Sequence, residues 1–399
     1  MKQIALTVLI LAIAASCGIS ISDEHSGPDD GAWKDPTYIP DSSSVKRQVC
    51  HVTGLDYPDG YDWRTDPENS AVKCSLVVFA DGRPVMKLPV GEEYHISPDP
   101  DMHRVIEGHL YTDYSTDKET IIKKDGQEIL RYDGREMILD MKISGENIYT
   151  LGRPRKGNGF TFRKNGATMM HRNDGYVFPR LQTMKDTICF AFSTPIESGS
   201  GQLERYYHVI NGRTEQTAVR EDVRKVFDII WHKGRSCYIA SMTGISSPVI
   251  VNGEKMKALE SAEGVDMLTC RLYSAGKSLF TEAVCFKGGS CCSCLWKDGS
   301  VHMLFPEGMT TSGTCTLNEG ICCVLNADRQ DYGGLIFRCG DTFDIPSGYC
   351  ATGSDPIAMR NGILHVGLSS MTGGKPMIWK DGNTQTLNIN GPLCTLSVD

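Results

Sequence analysis

Eight glycines recur down this chain at a nearly constant interval: Gly82, Gly126, Gly166, Gly212, Gly253, Gly299, Gly340 and Gly382, separated by 44, 40, 46, 41, 46, 41 and 42 residues. In seven of the eight the preceding residue is Asp or Asn (Asp81, Asp125, Asn165, Asn211, Asn252, Asp298 and Asp381), and only Cys339 departs from the rule. Asp-Gly and Asn-Gly tolerate positive φ at both central positions of a two-residue hairpin, as the type I′ turn between twisted strands requires. A period of this length built on hairpins predicts an all-β fold, a β-propeller.

Residues 137–172 show the repeating unit most clearly. Runs 137–143, 147–151, 160–164 and 167–172 read as four strands, A to D; 144–146 and Asn165-Gly166 are tight turns, and 152–158 is a longer polar loop. The A–B turns keep a second register through Gly108, Gly145, Gly234, Gly276, Gly320 and Gly362, with Lys185-Asp186 in that place in the fourth repeat. Two markers in phase over most of the chain argue against a pair of β-sandwich domains. The ring must close, because an open propeller leaves two exposed sheet edges. Residues 393–398 read as an A strand with no partner downstream, and 47–53 as a B strand with no A strand before it. Val49-Cys50-His51-Val52 parallels Ile363-Leu364-His365-Val366. A first blade assembled from both ends of the chain follows, one strand from the C-terminal end and three from the N-terminal end. The expectation is therefore an eight-bladed β-propeller of four-stranded antiparallel blades over 47–399, with seven blades plus a partial unit as the alternative.

Ahead of the repeats, Lys2, an apolar run over 4–15 and the small residues Ala14, Ala15 and Ser16 read as a signal peptide over 1–16, too short to cross a bilayer comfortably. Small residues before Cys17 resemble a bacterial lipobox, although Ala14 stands where Leu is usual. The resemblance implies lipidation of Cys17 and attachment to a membrane through that lipid. Residues 17–46, rich in Ser, Asp, Gly and Pro, lack apolar periodicity and predict a flexible tether. Ser22-Asp23-Glu24 resembles the acidic stretch after the lipidated cysteine of surface-exposed lipoproteins of Bacteroidota; an ordinary acidic linker accounts for it equally. Trp296-Lys297-Asp298-Gly299 and Trp379-Lys380-Asp381-Gly382 resemble the repeats of propeller-like envelope lipoproteins of the same bacteria, over 47–399. That resemblance implies an outer-membrane or cell-surface address and brings no active-site residues with it. Both tryptophans end C strands and read as packing residues.

A formal net charge of −8, or −9 once residues 1–16 are removed with Lys2, argues against nucleic acid or an anionic membrane surface as partner. Fifteen of the sixteen cysteines remain once Cys17 is set aside, an odd number spread through strand-like segments, so most read as small buried hydrophobes. Cys285, Cys291, Cys292 and Cys294 share one B–C hairpin, where a disulfide, a thiolate metal site and buried free thiols all remain open. Cys322 and Cys323 are adjacent on a strand and point to opposite faces, so they do not supply the second pair of a zinc site. No metal and no cofactor are expected.

The D–A and B–C loops share one face of a propeller, and here they vary while the A–B and C–D turns stay short, as expected of a binding face on a regular scaffold. The longest, 55–70, concentrates Tyr57, Asp59, Tyr61, Asp62, Trp63, Arg64 and Asp66. Its expected neighbours are the 91–101 loop with Tyr94 and His95, the loop near Tyr114, and Asp331-Tyr332. Aromatics beside carboxylates stack on sugar rings and accept hydrogen bonds from hydroxyls, and they serve protein interfaces as well. The same residues can instead pin a long loop to its blade. Tyr57, Asp59, Tyr61, Asp62, Trp63, Arg64, Tyr94, His95, Asp331 and Tyr332 are the candidate binding residues. Acidic residues also recur in D–A connections (Asp133, Glu136, Asp174, Asp222, Glu307 and Asp355 among them), either as a ring around a channel mouth or as turn chemistry. No nucleophile elbow, phosphate loop or paired-histidine motif is present. The sequence thus points to a binding or interaction module for a glycan or a protein partner. The alternative is a glycoside hydrolase or polysaccharide lyase working through carboxylates at the channel mouth, with no catalytic residue singled out.

Overall fold

The Asx-Gly pairs do two jobs. In six of the seven Asx-Gly turns, all but Asn252-Gly253, both central residues take positive φ, for example Asp81 at 48° with Gly82 at 74° and Asn165 at 49° with Gly166 at 79°. The Asx side chain also reaches back to strand B. Its Oδ1 accepts the N–H of Cys50, Leu110, Ile148, Ile188, Leu279 or Leu364 at 2.8–3.1 Å. The turn's own N–H returns a bond to the carbonyl of the same residue, as from Asp298 to Leu279 at 2.7 Å. A reciprocal clasp thus ties six of the eight C–D turns to the start of strand B, those of blades 5 and 7 being the exceptions.

The computed structural model describes residues 48–65, 73–99, 102–154, 159–184, 187–195, 204–217, 222–262, 266–317, 320–327 and 333–398. Residues 1–46 with Cys17, and also Asp66, Asp331 and Tyr332, lie outside the described residues. The sheets form eight antiparallel blades in a ring, as expected, and not seven. Blade 3 consists of Glu136–Ser144, Asn147–Pro154, Phe160–Lys164 and Ala167–Arg172, close to the expected runs. Blade 1 joins the two ends of the described chain: Leu393–Val398 is its innermost strand and Cys50–Asp56, Ser75–Ala80 and Arg83–Pro89 follow outward. Cys50 pairs with Val398 and Val52 with Leu396, which removes the sheet edges an open ring would expose.

The A strands are innermost and meet around the ring. Two are broken. Blade 4 begins with Tyr176–Val177 and Gln182–Met184, and blade 8 with Tyr349–Cys350 and Ile357–Arg360. Five others carry a register shift, including Ile138/Asp140 in blade 3 and Val226/Asp228 in blade 5. Such bulges turn a side chain away from the regular alternation.

The core lies mainly between blades. Phe160 and Phe162 of blade 3 pack on Phe190 and Phe192 of blade 4, with Phe160–Phe192 centroids 5.0 Å apart. Trp296 is fully buried and donates its Nε1–H to Glu260 O at 3.0 Å, and Trp379 is buried in the blade 7–8 cluster. Both are packing residues, as read from their place at the end of strand C. All but one of the described cysteines are buried, Cys339 being the exception. Cys285 and Cys292 face one another across strands B and C, and no cluster of three or more His, Cys, Asp or Glu able to hold a metal occurs among the described residues.

Candidate binding surface

In every antiparallel blade the A–B and C–D turns fall at one end and the B–C and D–A loops at the other. The long loop of blade 1 rises on the second face and is tied down by the segment that leads into the closing strand. Leu55 N–H donates to Pro392 O at 3.0 Å and Tyr57 N–H to Asn390 O at 2.9 Å. Asn390 answers through its Nδ2, which donates to Pro58 O and Tyr61 O at 2.9 and 3.2 Å. Gly391 is needed here, because a Cβ at that position would sit 2.1 Å from Leu55 O. Tyr57 is 8% exposed and its ring stacks at a tilt on Tyr61, 5.2 Å away. It supports the loop from beneath.

Tyr61 and Trp63 are half-buried and pack from the loop onto a cluster of Leu55, Leu76, Leu110 and Ile96. Ile96 immediately follows His95, so this cluster joins the blade 1 loop to the 91–96 turn that precedes blade 2. That turn is a single 3-10 turn, Glu92–Tyr94, ended by His95 in the left-handed region (φ 49°). Tyr94 is 40% exposed, and the His95 ring lies 5.5 Å from Tyr114. Asp62 and Arg64 form a two-pronged ion pair, Nη2 to Oδ2 at 2.8 Å, which holds the Asp62 carboxyl below its usual range. The guanidinium rests against Gly373 of blade 8, where a Cβ would come 3.4 Å from it. Asp59 is exposed. The structure therefore gathers Tyr61, Asp62, Trp63 and Arg64 between blades 8 and 2, and sets His95 beside Tyr114, with Tyr94 exposed on the adjoining turn.

Beneath this face the inner strands carry a set of charges of which the sequence singled out only Asp355. Arg104 of blade 2 donates to Asp113 Oδ1 at 2.8 Å and to Ile138 O of blade 3 at 3.2 Å. Burial opposes its charge, but Asp113, Asp140 and Asp355 together outweigh that and raise its pKa. Asp140, at the blade 3 bulge, accepts the Leu181 N–H of blade 4 at 2.7 Å; Asp228, at the blade 5 bulge, accepts the Leu272 N–H of blade 6 at 2.8 Å. Arg180, in the break of blade 4, donates to Asp228 at 3.3 Å and reaches Leu272 O at 2.8 Å. From blade 8 to blade 5 the inner wall thus reads Asp355, Arg104, Asp140, Arg180, Asp228, acid and base alternating. The acidic ring, one of the two readings of the D–A carboxylates, does not form from the described residues. Glu136 is buried against Arg163 at 2.8 Å and Asp174 pairs with Arg172 at 3.0 Å.

These inner carboxylates are occupied. Burial pushes the Asp113 carboxyl up to about 6, while Arg104 pulls the other way; the residue is 2% exposed, beyond a substrate's reach. Glu282, also buried, accepts from the Tyr273 and Thr314 hydroxyls, both at 2.8 Å. A cleft of about 580 Å³ does open between blades 8 and 1, but among the short turns rather than the varied loops, over Gln48, Asp81, His365 and Lys380.

No protein-family model and no curated protein matches this sequence. Among solved structures, the chain is similar to an acylaminoacyl peptidase of Pyrococcus horikoshii (12% identity, TM-score 0.46), covering 84% of this chain and 56% of that one. It is also similar to a prolyl endopeptidase (9%, TM-score 0.41), over 84% of this chain and 50% of that one. A third similarity is to the polysaccharide lyase Uly1 (10%, TM-score 0.39), over 89% and 99%. This chain therefore spans only about half the length of the two peptidases, and likeness of this degree bears on no activity.

Proposed function

We propose that this propeller is a binding module of the bacterial cell envelope, held to the membrane by a lipid on Cys17, and that the loop face of blades 8, 1 and 2 receives a glycan or a protein partner. The observation that carries this reading is the Tyr61-Asp62-Trp63-Arg64 ledge. Two half-exposed aromatics flank an ion pair whose carboxylate is 40% exposed, beside a stretch that Asn390 holds at Tyr57, Pro58 and Tyr61. Fixed aromatic and Arg side chains lose little entropy when a partner docks. The saturation of Asp113 and Glu282 by their own neighbours favours binding over carboxylate catalysis. Cys50 pairs with Val398 at the short-turn end of blade 1, so a tether reaching Gln48 attaches on the side opposite the ledge.

Glycan-array binding run beside a hydrolase and lyase activity screen on residues 47–399 tests this. Binding without turnover is expected, and Trp63→Ala should weaken it at least tenfold, the loss of an aromatic anchor being worth about 2 kcal/mol. Turnover of a polysaccharide would overturn it in favour of the hydrolase or lyase alternative.

A further inference from the structure

Blade 7 breaks the turn rule, and the replacement is a thiol. Cys339 occupies the first turn position with the same left-handed backbone as its Asx counterparts (φ 50°), a conformation that non-Gly, non-Asx residues rarely hold. Its N–H still bonds Ile321 O at 3.2 Å, but no carboxylate or amide clasps strand B. The sulfur instead lies 3.9 Å from Cys322 Sγ. Space for it depends on Gly320, where a Cβ would come within 2.5 Å of Cys339 Sγ. Behind Cys322, Cys315 faces it directly across the A–B ladder. Cys339 is the one exposed cysteine among the described residues, whereas the thiols of blade 6, Cys285, Cys292 and Cys294, are sealed in the core.

We propose that Cys339 and Cys322 are a thiol–disulfide modification site, with Cys339 the entry thiol and Cys322 the resolving thiol, reacting with a small disulfide such as oxidised glutathione. The Cys339 thiolate attacks one sulfur of the small disulfide; that S–S bond breaks and one thiol leaves with the proton Cys339 gave up. Cys322 then attacks the Cys339 sulfur, the mixed disulfide breaks, and the second small thiol leaves with the Cys322 proton. The protein loses two hydrogens, and the small disulfide is reduced to two thiols. The sulfurs must close from 3.9 Å to about 2 Å. A turn residue and a strand residue one register step from direct opposition, Cys322 being paired with Arg338, can achieve this by side-chain rotation. The hydrogen bond to Cys322 and burial hold the Cys339 thiol above its ordinary range, while the neighbouring Arg338 pulls it down, so the reaction should quicken as pH rises.

The test treats the folded protein with oxidised glutathione at pH 8, blocks remaining thiols, digests with trypsin and sequences the cross-linked peptides by mass spectrometry. A Cys322–Cys339 disulfide two hydrogens lighter is expected, together with a glutathione mixed disulfide on Cys339 that accumulates only in Cys322→Ser. Cys339→Asn restores the residue type of the other turns, so it should fold and leave Cys322 unmodified. The proposal is overturned if the unsubstituted protein stops at the mixed disulfide, if Cys339 joins another cysteine, or if Cys322 oxidises equally in Cys339→Asn.

Discussion

At the scale of single residues, the clasp that six of the seven turn Asx residues make with strand B turns a sequence rule into an energy. Removing the Asp298 side chain leaves the Leu279 N–H without its acceptor and forces alanine into the left-handed region. The sum of a lost partner, at about 1 kcal/mol, and a left-handed residue, at about 1 kcal/mol, predicts that Asp298→Ala destabilises by about 2 kcal/mol, read as a lower urea midpoint at unchanged slope. Cys339→Asn should move the other way, by about 1 kcal/mol, because Asn supplies the missing clasp to Ile321. The glycine spacing made this turn legible in the sequence: hairpin chemistry is local, involving Asp298 and Gly299 alone. The returning bond to Leu279 was not, since it depends on how strands B and C lie together. Among the site residues, Trp63 and Arg64 stood out by composition, but nothing in the sequence distinguished Tyr57, which is buried support, from Tyr61, which stays half-exposed.

At the scale of strands, closure rests on Leu393–Val398. Leu393 and Leu396 are each 2% exposed and pack with Val52, Val77 and Phe79. Deleting 392–399 removes those two leucines, worth about 2 kcal/mol each in burial alone. It also uncovers the edge of Cys50–Asp56 as a template for aggregation. The shortened chain should elute as aggregate by size exclusion and lose its cooperative thermal transition; a folded monomer would show that blade 1 stands on three strands. The alternation and the unmatched A strand near the C-terminus made this strap readable in advance. The inner charges were not readable, because their partners are far apart in the chain: Arg180 reaches Asp228 and then Leu272, two blades on. Their only local trace is an Asp after a bulged apolar pair, Leu139-Asp140 and Phe227-Asp228, visible once the pairing registers are known. Arg180→Ala strips Asp228 of its counter-ion in a buried setting and should cost about 3 kcal/mol, measurable as a lowered melting point.

For the molecule as a whole, buried ionisable groups set how it tolerates acid. Burial depresses His103 and His208 to about 4 each. The unfolded chain takes up these protons near pH 6.5 while the folded one does not, so stability is lost as the pH falls from 6.5 toward 4, on the order of 3 kcal/mol for each histidine. Asp113 works in the opposite sense. Its carboxyl, raised to about 6 by burial against the pull of Arg104, binds a proton more readily folded than unfolded and returns stability between pH 6 and 4. Burial lowers His232, His302 and His365 as well, so the histidines prevail. Urea midpoints measured at steps from pH 7 to 4 should fall monotonically, with the steepest loss near pH 6 and a gentler one below it, where Asp113 offsets part of the histidine term; a rise would show that Asp113 dominates. The ring also imposes an order in time. Because residue 50 must wait for residue 398 before blade 1 exists, the three strands made first remain an unfinished sheet through the synthesis of seven further blades. Closure between residues so far apart in the chain slows folding, and the edge of Cys50–Asp56 stays open to aggregation until Leu393–Val398 has been made.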